Sequence, residues 1–203
     1  WAPPTQFAAA AQFARMNVEV EKLAQTTLKE RRLALPGPAR FSVPLCLAYP
    51  EQGSILFETA EQGHDEAIGA LNNIILRLLA TAPPGRLSFT ILDPVGLGQN
   101  FAGIMHLADH EEQIINSRIW TQSGQIEQKL GNLNEYMEKV IQMYLRNEYA
   151  TIADYNEQAG VIAEKYHFLV VADFPVNFTE TAGKRLLSIA ASGARCGVYT
   201  LIH

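Results

Sequence analysis

Leu56-Phe57-Glu58-Thr59-Ala60-Glu61-Gln62-Gly63-His64-Asp65-Glu66-Ala67-Ile68 leads, one glycine later, into Ala70-Leu71-Asn72-Asn73-Ile74-Ile75-Leu76-Arg77-Leu78-Leu79. An apolar start, a polar turn and an apolar helix have the strand–loop–helix layout of a phosphate-binding loop. Such a loop needs glycines so that backbone N–H groups can wrap the phosphates, a lysine to reach them and a hydroxyl for Mg²⁺. This turn keeps only Gly63, and no lysine or hydroxyl opens the helix. Instead Glu58, Glu61, Asp65 and Glu66 crowd the place where a triphosphate would lie. Like charges there repel by about 1 to 4 kcal/mol each at close range.

Working outward, apolar stretches alternate with helical periodicity. Phe41 to Ala48, Ser54 to Thr59, Leu87 to Leu92, Ser117 to Trp120, Phe168 to Ala172 and Gly197 to Ile202 read as strands. Glu66 to Ala80 reads as a helix apolar nearly all round and hence buried. Gln125 to Asn147 is a long amphipathic helix with a stripe of Ile126, Leu130, Leu133, Met137, Val140, Ile141 and Tyr144. Shorter helices are expected near Asp109, over Ile152 to Gln158 and over Thr179 to Ala191. Upstream, Thr5 to about Leu33 reads as one helix closed by Lys29-Glu30-Arg31-Arg32, and Leu35-Pro36-Gly37-Pro38 as a linker. The expected division is residues 1–38 as N-terminal helix and linker, and 39–203 as one α/β domain with a mostly parallel sheet covered on both faces. Ligands in such sheets bind at the carboxyl ends of the strands, where Asp93 and Asp173 emerge.

Composition narrows the function classes. The 203 residues are 48% hydrophobic and 18% charged, ordinary globular values. The apolar run from Ile74 to Ala82 is interrupted by Arg77 and is far short of the roughly 20 residues of a membrane span. No signal peptide is visible. The expected location is cytoplasmic, without direct membrane contact by this segment and with a membrane-associated parent as an open alternative. With Trp1 at its start, the segment is expected to be a piece of a longer chain. A net charge of −5 gives no support for DNA binding by the domain's own surface. Cys46 and Cys196, far apart and without a CxxC, read as two buried reduced thiols.

The order of segments resembles the motor domain of the FtsK/SpoIIIE family of DNA-translocating ATPases, which includes type VII secretion ATPases. The likeness runs from about Ser54 to His203. Ala70 to Leu79 looks like the helix after the family's Walker A loop, and Phe89-Thr90-Ile91-Leu92-Asp93-Pro94 like its strand with the "DP" ending. Gly103-Ile104-Met105-His106-Leu107 is similar to its "GIPHL" segment, and Met137 to Asn156 to its "EMERRY…I..YN" helix pair. Phe168 to Asp173 occupies the Walker B position, and Ser192 to Val198 is similar to its "GRAxGIH" turn. The resemblance implies a RecA-like P-loop NTPase fold, a nucleotide site for ATP and Mg²⁺, and a ring-forming parent that handles DNA or a secreted substrate. By position, that site comprises Gly63, His64, Asp65, Glu66, Ala67, Ile68, Asp173 and Arg195.

The departures from the family pattern matter more. In family register the lysine position falls on Ala67, the hydroxyl on Ile68, and the glutamate that activates water on Phe174. Both sides of phosphoryl transfer have lost their key groups. The expectation is therefore a catalytically degenerate domain that needs no cofactor and has a structural or regulatory role among other domains or subunits of an ATPase. An active ATP-binding domain completed by a neighbouring subunit is the alternative, and a small-molecule or metal enzyme on a similar sheet the third reading.

Other motifs are weaker. His106 and His110, spaced i, i+4, lack the glutamate of HExxH and read as a structural or exposed pair rather than a metal site. Gly96-Leu97-Gly98 lacks the third glycine of a dinucleotide loop and reads as a tight turn. Gly183-Lys184 lies inside an expected helix, no GxSxG occurs, and Cys196 beside Arg195 reads as buried rather than activated.

Overall fold

Apolar strands paired in parallel build the centre of this protein, whose computed structural model describes residues 2–8, 10–24, 37–48, 52–60 and 62–203. Strand β1 (Ala11–Glu19), helix α1 (Val20–Ala24) and strand β2 (Arg40–Leu47) come first. The core domain follows as β3 (Ile55–Leu56), α2 (His64–Thr81), β4 (Leu87–Leu92), α3 (Ala102–Met105), α4 (Ser123–Lys139), α5 (Ile152–Ala159), β5 (Tyr166–Val171), α6 (Glu180–Ser192) and β6 (Val198–Ile202). The order in the sheet is β3-β6-β5-β4, every pair parallel. Every residue of β4 is buried, and all of β5 but His167. A strand buried on alternating side chains is covered on both faces, as the apolar sequence requires. The α/β class expected from the sequence is the one observed.

The amino-terminal helix is not. Ala11–Glu19 is a strand, antiparallel to Arg40–Leu47 in a sheet of its own, and among the described residues of this stretch only Val20–Ala24 is helical. The expected helical residues 25–33 lie outside the described residues. Cross-strand pairing overrides the helix propensity of the alanines. Glu19 stands opposite Arg40, and Arg15 Nε donates to Ser42 Oγ at 3.2 Å. The hairpin is anchored to the main domain through α2: Asn73 donates its side-chain amide to the Phe13 carbonyl, and Ala8 N donates to Thr81 O.

Three further expectations need correction. Helix α2 buries one face, Ala67, Ile68, Leu71, Ile74, Ile75 and Leu78, while Leu76 is 53% exposed and Arg77 faces solvent. Its apolar residues outnumber the positions its buried stripe can hold. Ser117 to Trp120 forms only a bridge from Trp120 to Leu92, since the turn at Asn116 and Ser117 has positive φ. The long helix ends earlier than Asn147: α4 gives way to a π-helical turn over Val140–Leu145, and Arg146 is left-handed. Its stripe is buried except for Ile141, which is exposed, and Tyr144, which is partly covered. Helix α4 packs on α6, where Asn134 donates to Arg185 O and Arg185 Nη1 to Glu127 O. Among the described residues, no helix is long and apolar enough to cross a membrane.

Candidate functional site

The carboxyl ends of the parallel strands meet at one edge, and three polar side chains converge there. Asp173 follows β5, His203 follows β6, and His64 opens α2 after the turn at Gly63. The backbone fixes the first two: His203 N donates to Val171 O and Phe174 N to His203 O, continuing the ladder beyond the strands. Phe57 N donates to Ile202 O, which brings Thr59 alongside. Gly63 takes φ 102°, a left-handed conformation that suits glycine, and so turns the chain into α2.

His64 Nε2 bonds Asp173 Oδ1 at 2.9 Å and His64 Nδ1 bonds Asp65 Oδ1 at 3.0 Å, and the protonated ring donates to both carboxylates. The Asp65 hydrogen bond is the first cause that holds the His64 pKa above its ordinary value, with Asp173 adding to it against partial desolvation. His203 Nε2 bonds Thr59 Oγ1 at 2.8 Å, and the two imidazoles meet edge to face at 5.2 Å. His203 Nδ1 lies 3.9 Å from Asp173 Oδ1. That nitrogen and Asp173 Oδ2 are buried without a hydrogen-bond partner among the described residues. A cleft of about 400 Å³ opens beside them, lined by Asp173, His203, Thr59, Phe174 and Val95 among others.

The sequence-predicted residues separate here. Gly63, His64, Asp65 and Glu66 lie in the turn and first turn of α2, with Asp65 and Glu66 exposed, whereas Ala67 and Ile68 are buried in the core at 4% and 8% exposure. Glu61 lies outside the described residues. Arg195 sits before β6, at the opposite end of the sheet from Asp173, where its Nε donates to Ala150 O at 2.8 Å. Five residues of strand rise separate those two edges, roughly 16 Å. Asp93 is at the expected edge but fully buried: its carboxylate accepts from Gly96 N, Gly98 N, Asn100 N and Asn100 Nδ2. It ties the Gly96-Leu97-Gly98 turn, so that loop is the tight turn its sequence indicates. Phe174 stacks edge to face on Phe178.

Among the remaining motifs, His106 pairs with Asp109 in the open, and Gly183-Lys184 lies within α6. Cys196 is buried, with desolvation raising its pKa, and both cysteines are free. Cys46 is exposed, contrary to expectation, because β2 belongs to the outer hairpin. His203 was missed by sequence reasoning. The signal was there: a polar residue after an apolar strand, as at Asp93 and Asp173.

No family model matches the chain, and no curated protein matches it in sequence. Solved structures do. EssC (ATPases 2 and 3) from Geobacillus thermodenitrificans superposes with TM-score 0.65 at 18% identity, over 100% of this chain and 34% of that one. The cytoplasmic domain of the type VII secretion ATPase EccC of Thermomonospora curvata gives 0.59 at 18%, over 80% of this chain and 19% of that one. The pCW3 conjugation coupling protein TcpA, in a monomer form with ATPγS, gives 0.57 at 18%, over 79% and 44%. This chain thus spans less than half the length of each of these proteins. With a parallel β3-β6-β5-β4 sheet and a polar site at its carboxyl edge, the chain has the α/β fold of the ATPase domains of secretion and coupling motors.

Proposed function

We propose that this domain is a degenerate FtsK/SpoIIIE-like motor domain that serves assembly or regulation within a larger ATPase. The observation that carries the reading is the burial of Ala67 and Ile68 where the family register calls for a lysine and a hydroxyl. Neither can reach a phosphate or Mg²⁺, and the pair from His64 to Asp173 bridges the Walker A and Walker B positions directly. The positive end of α2, which would attract an anion, carries its own acids Asp65 and Glu66 in the first turn. Phe174, in the place of the water-activating glutamate, supplies an apolar ring.

The partners that fit this reading are other domains or subunits of the parent motor, with DNA or a protein substrate handled by the whole. Phosphate release from ATP and Mg²⁺ by the purified domain is the test. No turnover above that of heat-denatured protein is expected, with Asp173→Asn indistinguishable from the parent sequence. Turnover that Asp173→Asn abolishes would favour the active, neighbour-completed alternative.

A further inference from the structure

We propose that His64, Asp173 and His203 form a binding site for one borderline transition-metal dication, with Zn²⁺ as the probe. One donor atom from each residue lies within 4.8 Å of the other two. Four-coordinate Zn²⁺ with bonds of about 2.0 to 2.1 Å sets its donors about 3.3 Å apart. The 2.9 Å from His64 Nε2 to Asp173 Oδ1 and the 3.9 Å from His203 Nδ1 to Asp173 Oδ1 straddle that spacing. A metal ion binding there replaces the proton on His64 Nε2, which leaves to solvent.

The surroundings carry the argument beyond proximity. Metal-binding imidazoles hold their outer nitrogen on a second group that sets the ring's orientation. Both rings do so here: Asp65 accepts from His64 Nδ1, and Thr59 bonds His203 Nε2. The inner nitrogen of His203 and the second oxygen of Asp173 are buried without partners among the described residues, at side-chain exposures of 10% and 12%. Buried polar atoms without partners are costly, and an ion held between His203 Nδ1 and the Asp173 carboxylate relieves that cost. Two imidazoles and one carboxylate favour Zn²⁺ over Mg²⁺, which prefers oxygen ligands and retains water. The ligands come from the start of α2 and the ends of β5 and β6, so the ion clamps together the elements that frame the cleft. A fourth ligand, water or a partner's oxygen, would enter from the cleft that Asp173 and His203 line.

The test is calorimetric titration of the chelator-treated chain with ZnCl₂, without nucleotide, so that its outcome is independent of whether ATP binds. One ion per chain is expected. His64→Ala and His203→Ala should each weaken binding about 100-fold or more, and Asp65→Asn and Thr59→Val about tenfold. His106→Ala/His110→Ala should leave it unchanged. Zn²⁺ at about 100 times its Kd should raise Tm by about 5 to 10 °C. Should the ligand variants fail to fold, Co²⁺ bound to the unaltered chain supplies the second measurement, with intense visible bands of a four-coordinate ion expected. No binding at micromolar Zn²⁺, binding that survives His203→Ala, binding lost in His106→Ala/His110→Ala, or a purely six-coordinate Co²⁺ spectrum would each overturn the proposal.

Discussion

Asp93 and Asp173 both leave strands at the same sheet edge, yet their surroundings assign them opposite work, and Asp93→Ala tests the difference. Asp93 is fully buried and accepts four hydrogen bonds, at 2.9, 2.9, 3.2 and 3.1 Å, from Gly96 N, Gly98 N, Asn100 N and Asn100 Nδ2. Hydrogen bonds to a charged group contribute about 1.5 to 3 kcal/mol each, and donors stranded by truncation lose that interaction. The donors belong to half-buried loop residues, which water can partly satisfy after relaxation. The net cost of Asp93→Ala is then about 3 to 5 kcal/mol, below the simple sum. For a domain of this size that lowers Tm by about 6 to 20 °C. Asp93→Asn keeps one carbonyl acceptor but turns an amide donor toward other donors, so about half the loss is expected. Urea unfolding followed by circular dichroism reads both. Asp173→Asn is the control: its backbone at φ 55° suits asparagine, its close ion pair is with the partly exposed His64 at 2.9 Å, and His203 Nδ1 stands at 3.9 Å. It should change stability by no more than about 1 kcal/mol in metal-free buffer. If Asp93→Ala costs less than about 1 kcal/mol at unchanged m-value, the assignment of Asp93 to the turn is wrong.

Three other outcomes follow from the packing. Desolvation, the largest cause, pushes His167 down to about 4 despite the pull of Glu164, so the folded protein keeps this ring neutral while the unfolded chain protonates it near 6.5. Its contribution to stability is therefore complete above pH 6.5 and declines as pH falls toward 4, by at most about 3 kcal/mol, and His167→Asn should flatten that part of the pH–stability curve. A Cβ on Gly193 would lie 2.5 Å from the carbonyl oxygens of Ile189 and Val198, so Gly193→Ala should cost about 3 kcal/mol or more, whereas Gly183→Ala, in open space within α6, should gain up to about 1 kcal/mol in the same thermal melts. Ile75→Ala, at a fully buried position, should cost about 2 to 5 kcal/mol by urea unfolding, and Leu76→Ser, at 53% exposure, less than about 1 kcal/mol.

The parallel sheet and its helices were legible because largely apolar strands such as Leu87–Leu92 and Tyr166–Val171 have few alternatives to burial on both faces. The β1–β2 hairpin was not. Ala11 to Glu19 carries alanines and a near-helical spacing, and its strand conformation depends on pairing with residues more than 20 positions away, which local propensity does not encode. The candidate site was half legible. His64 and Asp173 fell in the positions where a nucleotide site would lie, but the convergence of His203 and Thr59 depends on β6 standing between β3 and β5. Arg195 joined the list by family position alone, and the strand direction of β6 puts it at the far edge. Burial separated Asp93 from Asp173, because the same residue type after the same kind of strand can cap a loop or face a cleft.

In the proposed reading, the strand–loop–helix from Leu56 to Ile68 has the place of a nucleotide site without its chemistry. Calorimetric titration of the domain with ATP and Mg²⁺ tests it most directly. No saturable heat is expected up to millimolar nucleotide, because the proposed register puts the buried Ala67 and Ile68 where a lysine and a hydroxyl would be needed, and Asp65 and Glu66 stand in the first turn of α2. Saturable binding with a micromolar Kd, weakened by Asp173→Asn, would contradict it.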